Sequence, residues 1–115
     1  MEEEKKISFD EYQKEAYRLI SEEGKKNLIL NGVLGLSGES GECADLVKKH
    51  LFQGHPLKKE DLVKELGDVL WYIAETATGL GVDLSEVARK NLEKLHKRYG
   101  GEVFQAEKSL HRDEE

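Results

Sequence analysis

An all-α fold, four helices joined by short loops, is what the sequence predicts. Three observations predict it. Apolar residues recur at helical spacing in the long segments. Ser8 and Asp83 are each followed three residues later by glutamate, a helix-opening pattern, and glycines close the segments. One proline and 7% aromatic residues are too few for a many-stranded sheet.

Residues 1–7 read as a charged lead-in. Ser8 and Glu11 then form a capping box. The first helix is expected from Phe9 to Glu23, burying Phe9, Tyr12, Ala16 and Leu19 or Ile20, with Gly24 as its stop. The second segment runs from Lys26 to Phe52 and carries Gly32, Gly35, Gly38 and Gly41. Each glycine costs a helix about 1 kcal/mol against alanine. The segment is either a loop or a helix weakened by glycine and held by packing, and the second reading is preferred. Glycine also lets another backbone or a ligand approach closely. Gln53-Gly54-His55-Pro56 is the turn. The third helix is expected from Lys59 to Thr78, with a stripe of Leu62, Leu66, Val69, Ile73 and Ala77 widened by Val63 and Leu70. Gly79 and Gly81 end it. Asp83 caps the fourth helix, whose core positions are Leu84, Ala88, Leu92, Leu95 and Tyr99 before the Gly100-Gly101 stop. Residues 8–100 thus form a single domain, and 101–115 a charged tail that begins with Val103 and Phe104.

A chain of 115 residues buries only a modest core, so self-association would help it. The net charge of −6 excludes attraction to a nucleic acid polymer by bulk charge. A bound cation would still let an acidic protein take an anionic nucleotide. The single cysteine, Cys43, excludes an internal disulfide and fits a reducing compartment. The opening MEEEKK lacks a signal peptide's apolar run, and no stretch approaches the roughly 20 apolar residues that cross a bilayer. A cytoplasmic protein with no membrane partner is expected.

Glu39 and Glu42 are three residues apart, as are Glu65 and Asp68, so each pair shares a helix face. Both pairs flank an apolar stripe. The second helix continues about ten residues from Glu42 to the turn, and the third returns about eight to Glu65, at roughly 1.5 Å per residue. An antiparallel hairpin brings all four carboxylates to similar height. Without a cation they repel one another. A hard divalent ion removes that penalty, and oxygen ligands suit magnesium or manganese. The other reading is two solvated faces on a highly charged chain.

Asn91, Lys94 and Arg98 form a second polar row on the fourth helix. An amide and two cations suit a polyphosphate. The same row also reads as a solvated basic face near a helix C-terminus. Trp71 and Tyr72 are adjacent, so one points away from the core, either to stack on a base or to pack at a helix or subunit contact. No phosphate loop, zinc spacing or paired E-x-x-H motif is present.

The run Gly35-Leu36-Ser37-Gly38-Glu39-Ser40-Gly41-Glu42, with Glu65-Leu66-Gly67-Asp68-Val69-Leu70-Trp71-Tyr72, resembles the MazG-type nucleoside triphosphate pyrophosphohydrolases. That family is marked by E-x-x-E, a variable gap and E-x-x-D. Asn91 to Leu95 and Arg98-Tyr99 resemble its fourth helix, and Glu11-Tyr12-Gln13 its opening. The resemblance implies a four-helix MazG-like bundle. It implies magnesium-dependent cleavage of a nucleoside triphosphate to the monophosphate and pyrophosphate. Glu39, Glu42, Glu65 and Asp68 would be metal ligands or groups that position water, with Glu39 or Glu42 as the base. The resemblance suggests Asn91 and Lys94 as nucleotide contacts, and Arg98, Trp71 and Gln13 are the further candidates for that role. A homodimer or homotetramer is implied too. The other function carried is a non-catalytic helical module that pairs with itself or a partner.

Overall fold

The computed structural model describes residues 4–100, and among them every regular element is a helix. They are α1 (Phe9–Arg18), α2 (Glu22–Lys25), α3 (Leu28–Gln53), α4 (Lys59–Leu80) and α5 (Leu84–Tyr99). The expected tail, with Val103 and Phe104, lies outside the described residues. The chain divides into two compact units, Met1–Leu84 and Ser85–Glu115.

The expected first helix is two. Ser8 caps α1 as predicted, its hydroxyl accepting from Glu11 N at 3.1 Å. The helix stops at Arg18, not Glu23. Ser21 is the cause: its side chain accepts from Gly24 N at 3.0 Å and opens α2. A serine that bonds nearby backbone competes with continued helix. The break turns Ile20 inward, 6% exposed, while Leu19 stays out. Gly24 is therefore no stop. It is buried inside α2, where a Cβ would lie 2.8 Å from Ile20 Cγ2.

α3 is one unbroken helix despite its glycines, the weakened helix held by packing. Asn27 opens it, accepting from Leu30 N at 3.3 Å. Gly54, at φ 72°, closes it. The glycines divide by role. A Cβ on Gly32 would strike Thr76, and one on Gly35 would strike the Tyr72 ring. A Cβ on Gly38 or Gly41 would meet nothing within 4 Å. Gly35→Ala is thus expected to destabilise by about 1–3 kcal/mol through overpacking, despite alanine's better helix propensity. A urea melt in which the variant is more stable would refute the packing of Tyr72 on that glycine.

α3 and α4 form an antiparallel hairpin. Gly32 meets Thr76 and Gly35 meets Tyr72, so one number falls as the other rises. Asn31 Nδ2 donates to Glu75 Oε2 at 2.6 Å, which gives a carboxylate only 2% exposed a partner across the pair. α4 runs two residues beyond the expected Thr78. Gly79 lies inside it against Leu28 and Ile29, and Gly81, at φ 75°, ends it.

α1 lies against α4. Ala16, Ala74 and Leu84 make the small core, with Tyr12, Leu70, Trp71 and Ile73 packed around it. Trp71 Nε1 donates to the Ala16 carbonyl at 3.2 Å. Several expected core positions are open instead: Phe9 is 48% exposed, and Leu66 and Leu92 are each 55%. On α3, Leu30, Val33 and Leu34 are also exposed. Their spacing places them on one side of the helix.

Candidate metal centre

Glu39 projects from α3, and Glu65 and Asp68 from α4. One carboxylate oxygen of each lies within 4.8 Å of the others. The hairpin produces this meeting: the register that sets Gly35 on Tyr72 brings Glu39 level with Asp68 one turn on, and Glu65 lies one turn further along α4. Glu39 and Glu65 are half-buried and Asp68 is exposed. Desolvation pushes the Glu39 carboxyl above the usual glutamate range. A hydrogen bond with Glu65 and the charges of Asp68, Glu65 and Glu42 push it the same way.

Glu42 stands apart from the other three. It is exposed and outside the close cluster, yet near enough for its charge to act on Glu39. Among the described residues no lysine or arginine pairs with Glu39, Glu65 or Asp68. Lys49, which feels the charge of Glu42, is held by Asp45 at 2.9 Å, and Asp45 also pairs with Lys48 at 3.4 Å. Hydrogen bonding to Lys49 lowers the Asp45 carboxyl. Three convergent carboxylates without a cationic partner suit a divalent ion with oxygen preference.

Beside the cluster, α1 and α4 leave an open cavity of about 390 Å³. Tyr12, Ala16, Leu19, Gly67 and Trp71 line it, with Asp68 and Glu15. Asp68 thus belongs both to the carboxylate cluster and to an apolar cavity. The Tyr12 phenol is raised by burial first and then by the charge of Asp68.

The remaining predicted residues fall as follows. Trp71 lines the cavity, its ring centroid 5.5 Å from that of Tyr72. Gln13 is buried, 8% exposed, and its amide is spent inside the chain. Its Nε2 donates to Thr78 Oγ1 at 3.1 Å and to the Val82 carbonyl at 3.0 Å, and its Oε1 accepts from Leu84 N at 2.7 Å. Asn91 and Lys94 are exposed on α5, while Arg98 is buried, 5.7 Å from the Tyr99 ring. Sequence reasoning placed Tyr12 in the core only and missed Glu75. Spacing offered a signal for the latter: Glu75 follows Asp68 by seven residues, two helical turns on the same face.

The fold and this site define a class, the all-α proteins with a carboxylate cluster set between neighbouring helices. Residues 29–101, well over half of the chain, match the MazG nucleotide pyrophosphohydrolase domain. The chain belongs to that family. It is similar to the Gene 37 protein of Mycobacterium phage L5, 45% identical over 76 residues, which cover 63% of this chain and 67% of that protein. No solved structure matches. Among the described residues no helix is long and apolar enough to cross a membrane.

Proposed function

We propose that the protein hydrolyses a nucleoside or deoxynucleoside triphosphate between the α and β phosphates, giving the monophosphate and pyrophosphate. The observation that carries this reading is the meeting of Glu39, Glu65 and Asp68 within 4.8 Å, with no cation of the described chain paired to them. Membership of the nucleotide pyrophosphohydrolase family supports it. The cofactor is magnesium, with manganese as a substitute. Glu39, Glu65 and Asp68 would hold it and Glu42 complete the set. When bound it neutralises phosphate charge and acidifies water.

The chain's own residues do the rest. Glu39 and Glu42 are the two carboxylates proposed to take a proton from the attacking water. Glu39 has the raised proton affinity, and Glu42 is exposed and outside the close cluster. Trp71 supplies an aromatic wall beside Asp68. Asn91, Lys94 and Arg98 supply an amide and two cations for the nucleotide. Gln13 is left out of these contacts because its amide is committed to Thr78, Val82 and Leu84. Residues 8–100 form the proposed domain, and the setting is the cytoplasm, in housecleaning of the nucleotide pool. The acidic net charge suits no nucleic acid polymer.

A homodimer or homotetramer is proposed as the working form. Exposed Leu30, Val33 and Leu34 on one side of α3 support it. The same face favours the second reading, a non-catalytic self-associating module. Incubation with a nucleotide panel and magnesium separates the two. Release of pyrophosphate and monophosphate is expected. Release of inorganic phosphate, or no turnover together with no manganese binding by calorimetry, overturns the enzymatic reading.

A further inference from the structure

Most glycines of the described chain have a reason within it. Gly24, Gly32, Gly35 and Gly79 have a neighbour against the missing side chain, and Gly54 and Gly81 have positive φ. Gly67 has neither. It sits in the interior of α4, between Glu65 and Asp68, and a Cβ there would meet nothing within 4 Å. Alanine at such a place favours the helix. Gly67 is exposed and is one of the residues that line the α1–α4 cavity.

We propose that this cavity seats the base of the nucleoside triphosphate, and that Gly67 sets its depth and so the enzyme's tolerance for base size. The proposal rests on the triphosphate reading above. The occupant follows from the neighbour: Asp68 belongs to both the cavity and the carboxylate cluster, so a ligand held by its phosphates at the cluster has its nucleoside at the cavity mouth. The volume of about 390 Å³ lies in the ligand-pocket range of roughly 300–1,000 Å³. Tyr12, Leu19, Ala16 and Trp71 give it apolar and aromatic walls. Trp71 is already pinned by its bond to the Ala16 carbonyl, so stacking on it orders little that was free. Glu15 stands at the rim, 64% exposed and paired with Arg18 at 3.2 Å. The site therefore reads shape and stacking more than the hydrogen-bonding edge of the base.

The test compares Gly67→Ala with Gly38→Ala. Both replace an uncrowded helical glycine beside a cluster carboxylate, but Gly38 does not line the cavity. Each protein is titrated, with magnesium present, with an α,β-methylene nucleoside triphosphate and with inorganic tripolyphosphate, which has no base. Gly67→Ala is expected to weaken the nucleotide at least about tenfold and leave tripolyphosphate unchanged. Its Tm should be equal or higher. Gly38→Ala should change neither ligand. The proposal is overturned if Gly67→Ala leaves nucleotide binding intact, weakens tripolyphosphate equally, or alters only the oligomeric state. It is also overturned if the wild type binds the two ligands alike. Because binding needs no turnover, these outcomes are distinguishable from failure of the hydrolase reading, which the nucleotide panel decides.

Discussion

Glu39→Gln is expected to remove turnover, by about 10²–10³-fold or more, while leaving the metal-free protein as stable as the wild type or more stable. The two effects have one cause. Glu39 faces Glu65 and Asp68 with no cationic partner, and desolvation and these charges raise its proton affinity. Its folded pKa stands above its unfolded one, so the folded state binds more protons in the window between them. Stability then falls as pH rises through that window, from the ordinary glutamate range to the raised value. Glutamine has no proton to lose and should flatten this component of the slope. Magnesium should offset the repulsion in the wild type, stabilising it by mass action. Thermal melts in a chelator across about pH 4–8, repeated with magnesium, read both effects. A variant that melts well below the wild type at neutral pH in chelator would sink the repulsive-cluster account.

Gln13→Leu is expected to cost about 3 kcal/mol and to lower Tm by roughly 10–20 °C. The side chain keeps the size of the hole but loses three hydrogen bonds. The Leu84 N–H and the Val82 carbonyl lose their amide partner at a site where Gln13 is only 8% exposed. An unsatisfied buried polar group costs about 1–3 kcal/mol, and two are created here. Gln13→Glu keeps the acceptor for Leu84 and should fall between. Below its melting transition the leucine variant should keep the wild-type KM. A variant with normal Tm and a raised KM would return Gln13 to the substrate contacts.

Much of this molecule was legible because helix signals are local. Ser8, Gly54 and Gly81 act at helix ends as their residue types predict. The α3–α4 hairpin follows from two long segments and a short turn, and matched arm lengths suffice to place Glu39 beside Glu65 and Asp68. Other signals were balanced between outcomes. Ser21 stops nothing unless Ile20 gains more by turning inward than the helix gains by continuing. Gly24 and Gly79 carry the sequence signature of a stop, yet they serve as places where Ile20 and Ile29 press against the backbone.

The carboxylates themselves mark the division. The sequence by itself determined the all-α class and the family, and it brought four acidic residues, Glu39, Glu42, Glu65 and Asp68, to similar height, since spacing of three residues and matched arms are properties of the chain alone. Only the tertiary structure decided that Glu42 stands off from the cluster, that Gln13 braces the turn after α4, and that Gly67 opens onto a cavity. The reason is physical. Periodicity tells which side of a helix a residue is on, to within a fraction of a turn. How near it comes to the next helix depends on register and close contact, set jointly by Gly32 on Thr76, Gly35 on Tyr72 and Trp71 on Ala16. No one of those positions encodes that distance alone.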